Sequence, residues 1–206
     1  MQKLFSQQIR FKGDDGKSFL DWETKELGQI VKPVVREVEK PSHPYLAIGI
    51  RSHIKGTFRK PDSEPDKIAM DKLYVVHFHD LIVNITFAWE GAITIASQED
   101  HGGLVSHRFP TFIIKKTESS PKFFQYLIKQ EKIKDILSLI SPGGAGRNRV
   151  LSKKDFLTIK FSMPCIEEQE KIADFLTAID KKIEAIAKQI ELTEQFKKGL
   201  LQKMFV

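Results

Sequence analysis

The chain has 206 residues, 41% hydrophobic and 29% charged, a balance that fits a folded protein with one core and excludes a disordered or membrane-embedded chain. Its formal charge of +6 is unevenly spread, with a net +7 over residues 1–165 and a net −1 over residues 166–206. The single cysteine, Cys165, cannot close an internal disulfide and fits a reducing cytoplasm, and the longest apolar run, "LIVNITFAWEGAITIA", is interrupted by Asn84 and Glu90.

At the start, Met1-Gln2-Lys3-Leu4-Phe5 falls on Leu201-Gln202-Lys203-Met204-Phe205 at the far end, the same apolar-Gln-Lys-apolar-Phe pattern. Residues 45–114 read as strands: "YLAIGI", "DKLYVVHFHDLIVNITFAW", "AITIA" and "FPTFII" are rich in β-branched and aromatic residues and are separated by Gly, Pro, Asp and Asn. The stretch "SSPKFFQYLIKQEKIKDILSLI" turns helical, with Ser120 as N-cap, Pro121 in the first position and Phe124, Leu127, Ile128 and Leu137 along one face. A glycine-rich basic loop, "SPGGAGRNRVLSKKDF", and a short strand, "FLTIKF", come next.

Pro164 marks the beginning of a long helix. Positions 172, 176, 179, 183, 186, 190, 193, 197, 200 and 204 step by four and three, and eight of these ten are apolar, with Thr193 and Lys197 the exceptions. That heptad seam is narrow and suits lengthwise packing on another helix. Glu167, Glu168 and Glu170 at its start and Lys197, Lys198 and Lys203 near its end complement the helix dipole. A helix over residues 167–205 reaches about 58 Å at ~1.5 Å per residue. Gly199 weakens its last turn, and a helix lying back on its own domain is the competing reading of the seam. The whole is an α+β chain: a mixed, β-rich globule followed by a long C-terminal coiled-coil helix.

Enzymatic signatures do not assemble. The glycine-rich loop follows a helix and precedes a strand, the reverse of the order that aims a helix N-terminus at a phosphate, and no Asn/Asp-Pro-Pro-aromatic motif accompanies it, so a methyltransferase is not supported. Pro61-Asp62 and Pro65-Asp66 lack the acid-x-Lys partner of a nuclease, since no lysine lies between Lys72 and Lys115. His77 and His79 would share one face of a strand, which can begin a metal site, but a hydrogen-bonding role is favoured and no metal is expected. Cys165 has no evident His partner and reads as a small buried hydrophobe.

What remains is a set of polar and cationic side chains assigned to loops: Arg51, Lys55, Arg59 and Lys60 in "GIRSHIKGTFRK", His107 and Arg108 in "GGLVSHRFP", and Arg147, Asn148 and Arg149 in "GGAGRNR". Arg suits the paired acceptors of guanine and Asn those of adenine, while Lys and loop amides suit phosphate. These nine residues are the candidate DNA contacts, and a solvated basic surface is the alternative.

The stretch "FSMPCIEEQEKIADFLTAIDKKIEAIAKQIELTEQFKKGLLQKMF" resembles the spacer helix of type I restriction-modification specificity subunits. It carries Glu168-Gln169-Glu170-Lys171-Ile172-Ala173, then Leu176, Asp180 and Ile183, and finally Lys197 through Phe205. "IRFKGDDGKSFLDWETKELGQI", with Trp22 and Leu27-Gly28, looks like the start of that family's target recognition domain, and "LSKKDFLTIKF" fits its last strand. His79-Asp80 stands where many members have Gly-Asp.

The resemblance implies three parts: residues 1–12 as the end of a preceding spacer helix or a tail, 13–163 as the target recognition domain, and 164–206 as the spacer helix. It implies a non-catalytic specificity module without cofactor, reading one half of a bipartite double-stranded DNA site. Methylation and cleavage would belong to methyltransferase subunits docked on the helix and to restriction subunits recruited through them. The chain would be one repeat of a two-repeat design, either a natural half-subunit or a piece of a longer one, and such a unit with an unfilled seam is expected to form a homodimer paired through Ile172, Leu176, Ile179, Ile183, Ile186, Ile190, Leu200 and Met204. A coiled-coil adaptor that does not read DNA is the rival reading.

Overall fold

The short apolar runs do become strands, but the chain between and before them is more structured than its composition suggests. The computed structural model describes residues 1–143 and 149–204. In chain order the elements are α1 (Gln2–Phe5), β1 (Glu23–Glu26), α2 (Leu27–Ile30), β2 (Val31–Val34), β3 (Glu37–Glu39), β4 (Tyr45–Ile50), β5 (Thr57–Ser63), β6 (Lys72–Val75), β7 (Leu81–Val83), β8 (Ile93–Ile95), β9 (Leu104–Val105) and β10 (Thr111–Ile114). Then follow α3 (Pro121–Leu127), α4 (Glu131–Leu139), α5 (Lys153–Leu157), β11 (Lys160–Met163) and α6 (Ile166–Met204).

Two sheets organise the globule. A four-stranded antiparallel sheet runs β2-β10-β7-β8, and a five-stranded one runs β3-β6-β9-β4-β5, antiparallel except where β4 meets β9 at Ala47↔Leu104. β7 is buried on both faces, and the two-residue alternation of a strand splits it between two cores. Leu81 and Val83 join the larger core with Phe112, Phe123, Phe124, Leu127 and Phe156, while Ile82 faces a smaller one with Ile48, Ile50, Val76 and Val105. A separate ribbon pairs β1 with β11 and carries the chain into α6.

Several boundaries differ from the sequence expectation, each for a local reason. The helix expected over 120–140 is two helices: the Ser120 side chain caps α3 as expected, accepting from Phe123 N, but Gln130 is extended and starts α4 as a second N-cap. "FLTIKF" is not one strand, because Ser152 caps α5 and keeps Phe156 and Leu157 helical, leaving β11 to begin at Lys160. His77 and His79 do not share a strand face. β6 stops at Val75, and Asp80, almost fully buried, gathers the His77 N–H at 2.8 Å and the Arg36 guanidinium at 2.5 and 3.1 Å into a turn with His79 at φ 71°. Pro61-Asp62, expected in a loop, closes β5.

The Glu168-Gln169 pair fixes the root of α6. Both side chains are wholly buried. The Glu168 carboxylate accepts from Arg10 Nε (3.1 Å) and Nη2 (2.8 Å) and from Trp22 Nε1 (3.0 Å). The Gln169 amide donates to the carbonyls of Glu118 and Pro164, both at 2.9 Å, and accepts from Ser119 Oγ at 2.8 Å. One turn later Ile172, Ala173 and Leu176 enter the main core, and Asp180 accepts from the Tyr126 hydroxyl at 2.8 Å.

Ile172 and Leu176, expected on the dimer seam, are therefore not available to a partner. The competing expectation of a helix packed on its own domain holds for these first turns and fails beyond them. From residue 181 to 204 every residue but Gly199 is exposed. This part alone reaches about 36 Å at ~1.5 Å per residue.

Candidate nucleic-acid interface

The basic segments singled out in the sequence are far apart along the chain, and the structure joins them through one turn, residues 84–92. Asn84 Oδ1 accepts from Thr86 N at 3.1 Å, and the short helical turn Ala88–Glu90 ends on Gly91 at φ 78°. The tip of the β4–β5 hairpin is pinned here. His53 N donates to Glu90 O (2.7 Å), Ile54 N to Gly91 O (2.8 Å), and Ser52 Oγ to the Glu90 carboxylate (2.5 Å). Those bonds hold His53 and Ile54 at positive φ, 61° and 55°, a conformation that a β-branched residue adopts only when its surroundings impose it.

On the other side of the turn, Ile85 N donates to Arg108 O at 3.0 Å and Ile85 O accepts from Leu151 N at 2.8 Å. The hairpin tip, the His107-Arg108 loop and the segment after the glycine-rich loop thus meet around a single scaffold. Arg147 and Asn148 lie outside the described residues.

The cations differ in how they are held. Arg59 and Lys60 sit on strand β5, not on a loop. Arg59 Nη1 lies 3.5 Å from both Glu99 and Asp100 and 3.4 Å from Ser97 Oγ. Asp100 is fully buried and also accepts from Thr57 Oγ1, from Ser97 N and from Ser97 Oγ at 2.8–3.0 Å. The Ser97 hydroxyl, Glu99's own backbone N–H and Arg59 hold the Glu99 carboxyl below its usual range. With two carboxylates at its head, Arg59 is the hairpin's anchor and the least suited of its cations to meet a polyanion.

Arg51 and Lys60 flank the Phe58 ring at 5.8 and 5.6 Å from its centroid. Lys55 borders a cleft with Gly56, Thr94, Gln125 and Lys129. Arg149 stacks on Trp89, 5.3 Å from the ring centroid, in a second cleft shared with His53, Lys134 and Ser138. Arg108 and His107 are both exposed, and His107 also borders an apolar cavity of about 250 Å³ walled by Pro33, Val34, Tyr74, Phe109 and Leu157.

Three groups escaped the sequence reading. Trp89 stood in a stretch read as strand, Phe58 in one read as loop, and Lys129 and Lys134 in one read as a single helix. The break at Gln130, which brings those lysines beside the hairpin, has no strong sequence signal. His77 packs on His101 with centroids 4.9 Å apart; burial and the nearby Arg36 push its pKa down, which favours the neutral imidazole. Among the described residues no three His, Cys, Asp or Glu side chains gather as a metal site, and no helix is long and apolar enough to cross a membrane. Cys165 is partly buried, and desolvation pushes its thiol up, away from a reactive thiolate.

Such an arrangement offers a rigid scaffold with exposed guanidinium and ammonium groups and a half-buried indole at its rim. Its geometry suits contact with a polyanion.

Comparisons with known proteins agree with that description. The family model for the type I restriction modification DNA specificity domain matches residues 20–194. Two proteins of Methanocaldococcus jannaschii are similar in sequence. The MjaVIII type I restriction enzyme specificity subunit is 29% identical over 192 residues, covering 90% of this chain and 42% of that protein. The putative MjaX specificity subunit is 25% identical over 197 residues, covering 90% and 45%. The crystal structure of the HsdS subunit from Thermoanaerobacter tengcongensis shares the fold with a TM-score of 0.61 at 16% identity, over 82% of this chain and 44% of that one. The chain spans less than half the length of the relatives it matches. With the family model covering most of its length, the chain belongs to the type I restriction-modification DNA specificity domain family.

Proposed function

We propose that this chain is a non-catalytic DNA specificity module that reads one half of a bipartite site on double-stranded DNA in the cytoplasm. Residues 13–163 form the reader. The helix that follows docks methyltransferase subunits, through which restriction subunits join. The observation that carries this reading is the convergence of three basic segments, distant in sequence, on the turn at residues 84–92 of a chain in this family.

Within the reader, Arg51, Lys55, Lys60, Arg108 and Arg149, with Arg147 and Asn148 beside them in sequence, supply contacts to DNA, and Arg59 with His107 supports them. Exposed Ile179, Ile183, Ile186, Ile190, Leu200 and Met204 form the face on which a second helix lies antiparallel. That helix comes from a second copy, giving a two-fold axis and a split palindromic target. The full helix of about 58 Å matches roughly 17 base-pair steps at ~3.4 Å, so two half-sites on one face of the duplex are within reach.

The test is methylation mapping of DNA from a host that carries the chain with its methyltransferase subunits. Replacing Arg108 and Arg149 together by Gln should relax or abolish the mapped half-site while the chain stays folded. Unchanged mapping would overturn the assignment of the reading surface. Salt-insensitive association with DNA by the assembled complex would favour a pure adaptor instead.

A further inference from the structure

The outer face of the β4–β5 hairpin holds two cations against a single aromatic ring. Register pairs Gly49 with Phe58 and Ala47 with Lys60, so Phe58 and Lys60 point to one face and the neighbouring pair, Ile48 and Arg59, to the other. Ile48 is buried in the smaller core, which makes the Phe58 face the outward one.

A Cβ on Gly49 would overlap the Phe58 ring, so the ring lies on bare backbone that only glycine leaves open. Seated there, it has the Arg51 guanidinium carbon 5.8 Å and Lys60 Nζ 5.6 Å from its centroid, both within cation–π range. Arg51 Nη1 also donates to Thr57 O. Among the described residues no carboxylate comes within ion-pairing distance of either cation, in contrast to Arg59 one residue away.

The contrast is chemical. A carboxylate orders a guanidinium by neutralising it, whereas a ring quadrupole orders it and leaves its charge intact for an outside anion. A fork of N–H donors beside a compact ammonium suits the non-bridging oxygens of phosphate. Ala47 and Gly49, the neighbours on this face, offer no side-chain hydrogen-bonding group to a base edge.

From this we infer that Phe58, seated on Gly49, is the positioning residue of a phosphate clamp in which Arg51 and Lys60 grip the DNA backbone. The clamp sets affinity and its salt dependence, and leaves base preference to other residues. It rests on the reading of this domain as a DNA binder.

The experiment measures DNA affinity of the complex with methyltransferase subunits against salt, for the parent chain, F58L, F58Y, R51Q/K60Q and the triple combination F58L/R51Q/K60Q. Each lost phosphate contact lowers the log–log slope by about 0.9. R51Q/K60Q should lower it by about two such steps, F58L by at least one, and F58Y should restore the parent slope, with the methylated sequence unchanged throughout. F58L should add nothing in the R51Q/K60Q background.

A parent-like slope for F58L, beside a reduced one for R51Q/K60Q, would remove Phe58 from the clamp and leave the DNA reading standing. A further fall in the triple combination would mean general damage to the hairpin and would overturn the inference as well. Should R51Q/K60Q keep the parent slope, the clamp itself is wrong. If the parent complex shows no salt-dependent binding, the reading beneath it falls too.

Discussion

The first fifteen residues of α6 and the twenty-four after them carry the same heptad spacing and do opposite things. Up to Asp180 the seam, exposed Ile179 excepted, is spent inside the protomer: Ile172 and Leu176 are in the core, Glu168 and Gln169 are buried and fully hydrogen-bonded, and Lys122 and Lys171 tie the flanks to Asp174 and Asp14. Beyond it Ile183, Ile186 and Ile190 are each more than half exposed. A period in the sequence says that one face of a helix will be covered. It does not say by what, because intramolecular and intermolecular packing use the same side chains.

The largest expected effect lies at the root. Glu168→Ala removes a buried carboxylate, leaves the Trp22 N–H unpaired and takes from Arg10 its two bonds to Glu168, leaving those to Asp21, Phe19 O and Leu20 O, a loss of about 3–5 kcal/mol by analogy with broken buried pairs. A chain with ordinary stability of roughly 5–15 kcal/mol would be left close to its limit, read as a large drop in the urea midpoint. A shift under about 1 kcal/mol would mean that the root is not buttressed as described.

Ile172→Ala comes next, at about 2–5 kcal/mol from the cavity it leaves in the core. Ile186→Ala and Ile190→Ala should change the stability of a dilute chain by no more than about 0.5 kcal/mol, as exposed positions do. In light scattering at tens of micromolar the same two changes should shift mass from dimer toward monomer, and Ile172→Ala at temperatures where it stays folded should not. Equal effects of all three on association would erase the distinction between root and rod.

The spacing, Pro164 and the charge gradient made α6 legible in the sequence, and the strand-rich middle followed from its β-branched runs. Three things were not legible, for physical reasons. Asp80 turns the chain by collecting distant Arg36 together with the local His77 amide, and such a tertiary ion pair has no local signature. Gln130 splits a continuous apolar pattern by its backbone conformation alone. The hairpin's cations were found by clustering, but their ranking was not: Arg59 and Lys60 are adjacent in sequence, and strand alternation sends one to buried Asp100 and the other to Phe58.

The smallest effect separates globule from rod by pH. Burial, with Arg36 and His101 acting in the same direction and Asp80 against them, pushes His77 below its usual pKa; burial and Lys116 do the same for His79. Their folded forms therefore bind fewer protons than the unfolded chain, whose imidazoles titrate near about 6.5. That stability is complete above about pH 6.5 and is lost as the pH falls through the lower folded values. Residues 166–206 contain no histidine, so helix association should not follow that titration. Melting temperature should fall between pH 7.5 and 5.5 while the dimer fraction at low temperature stays level. His77→Gln with His79→Gln should flatten the first curve and leave the second alone, and a dimer fraction that tracked the globule's melting would show that the seam is not independent of the core.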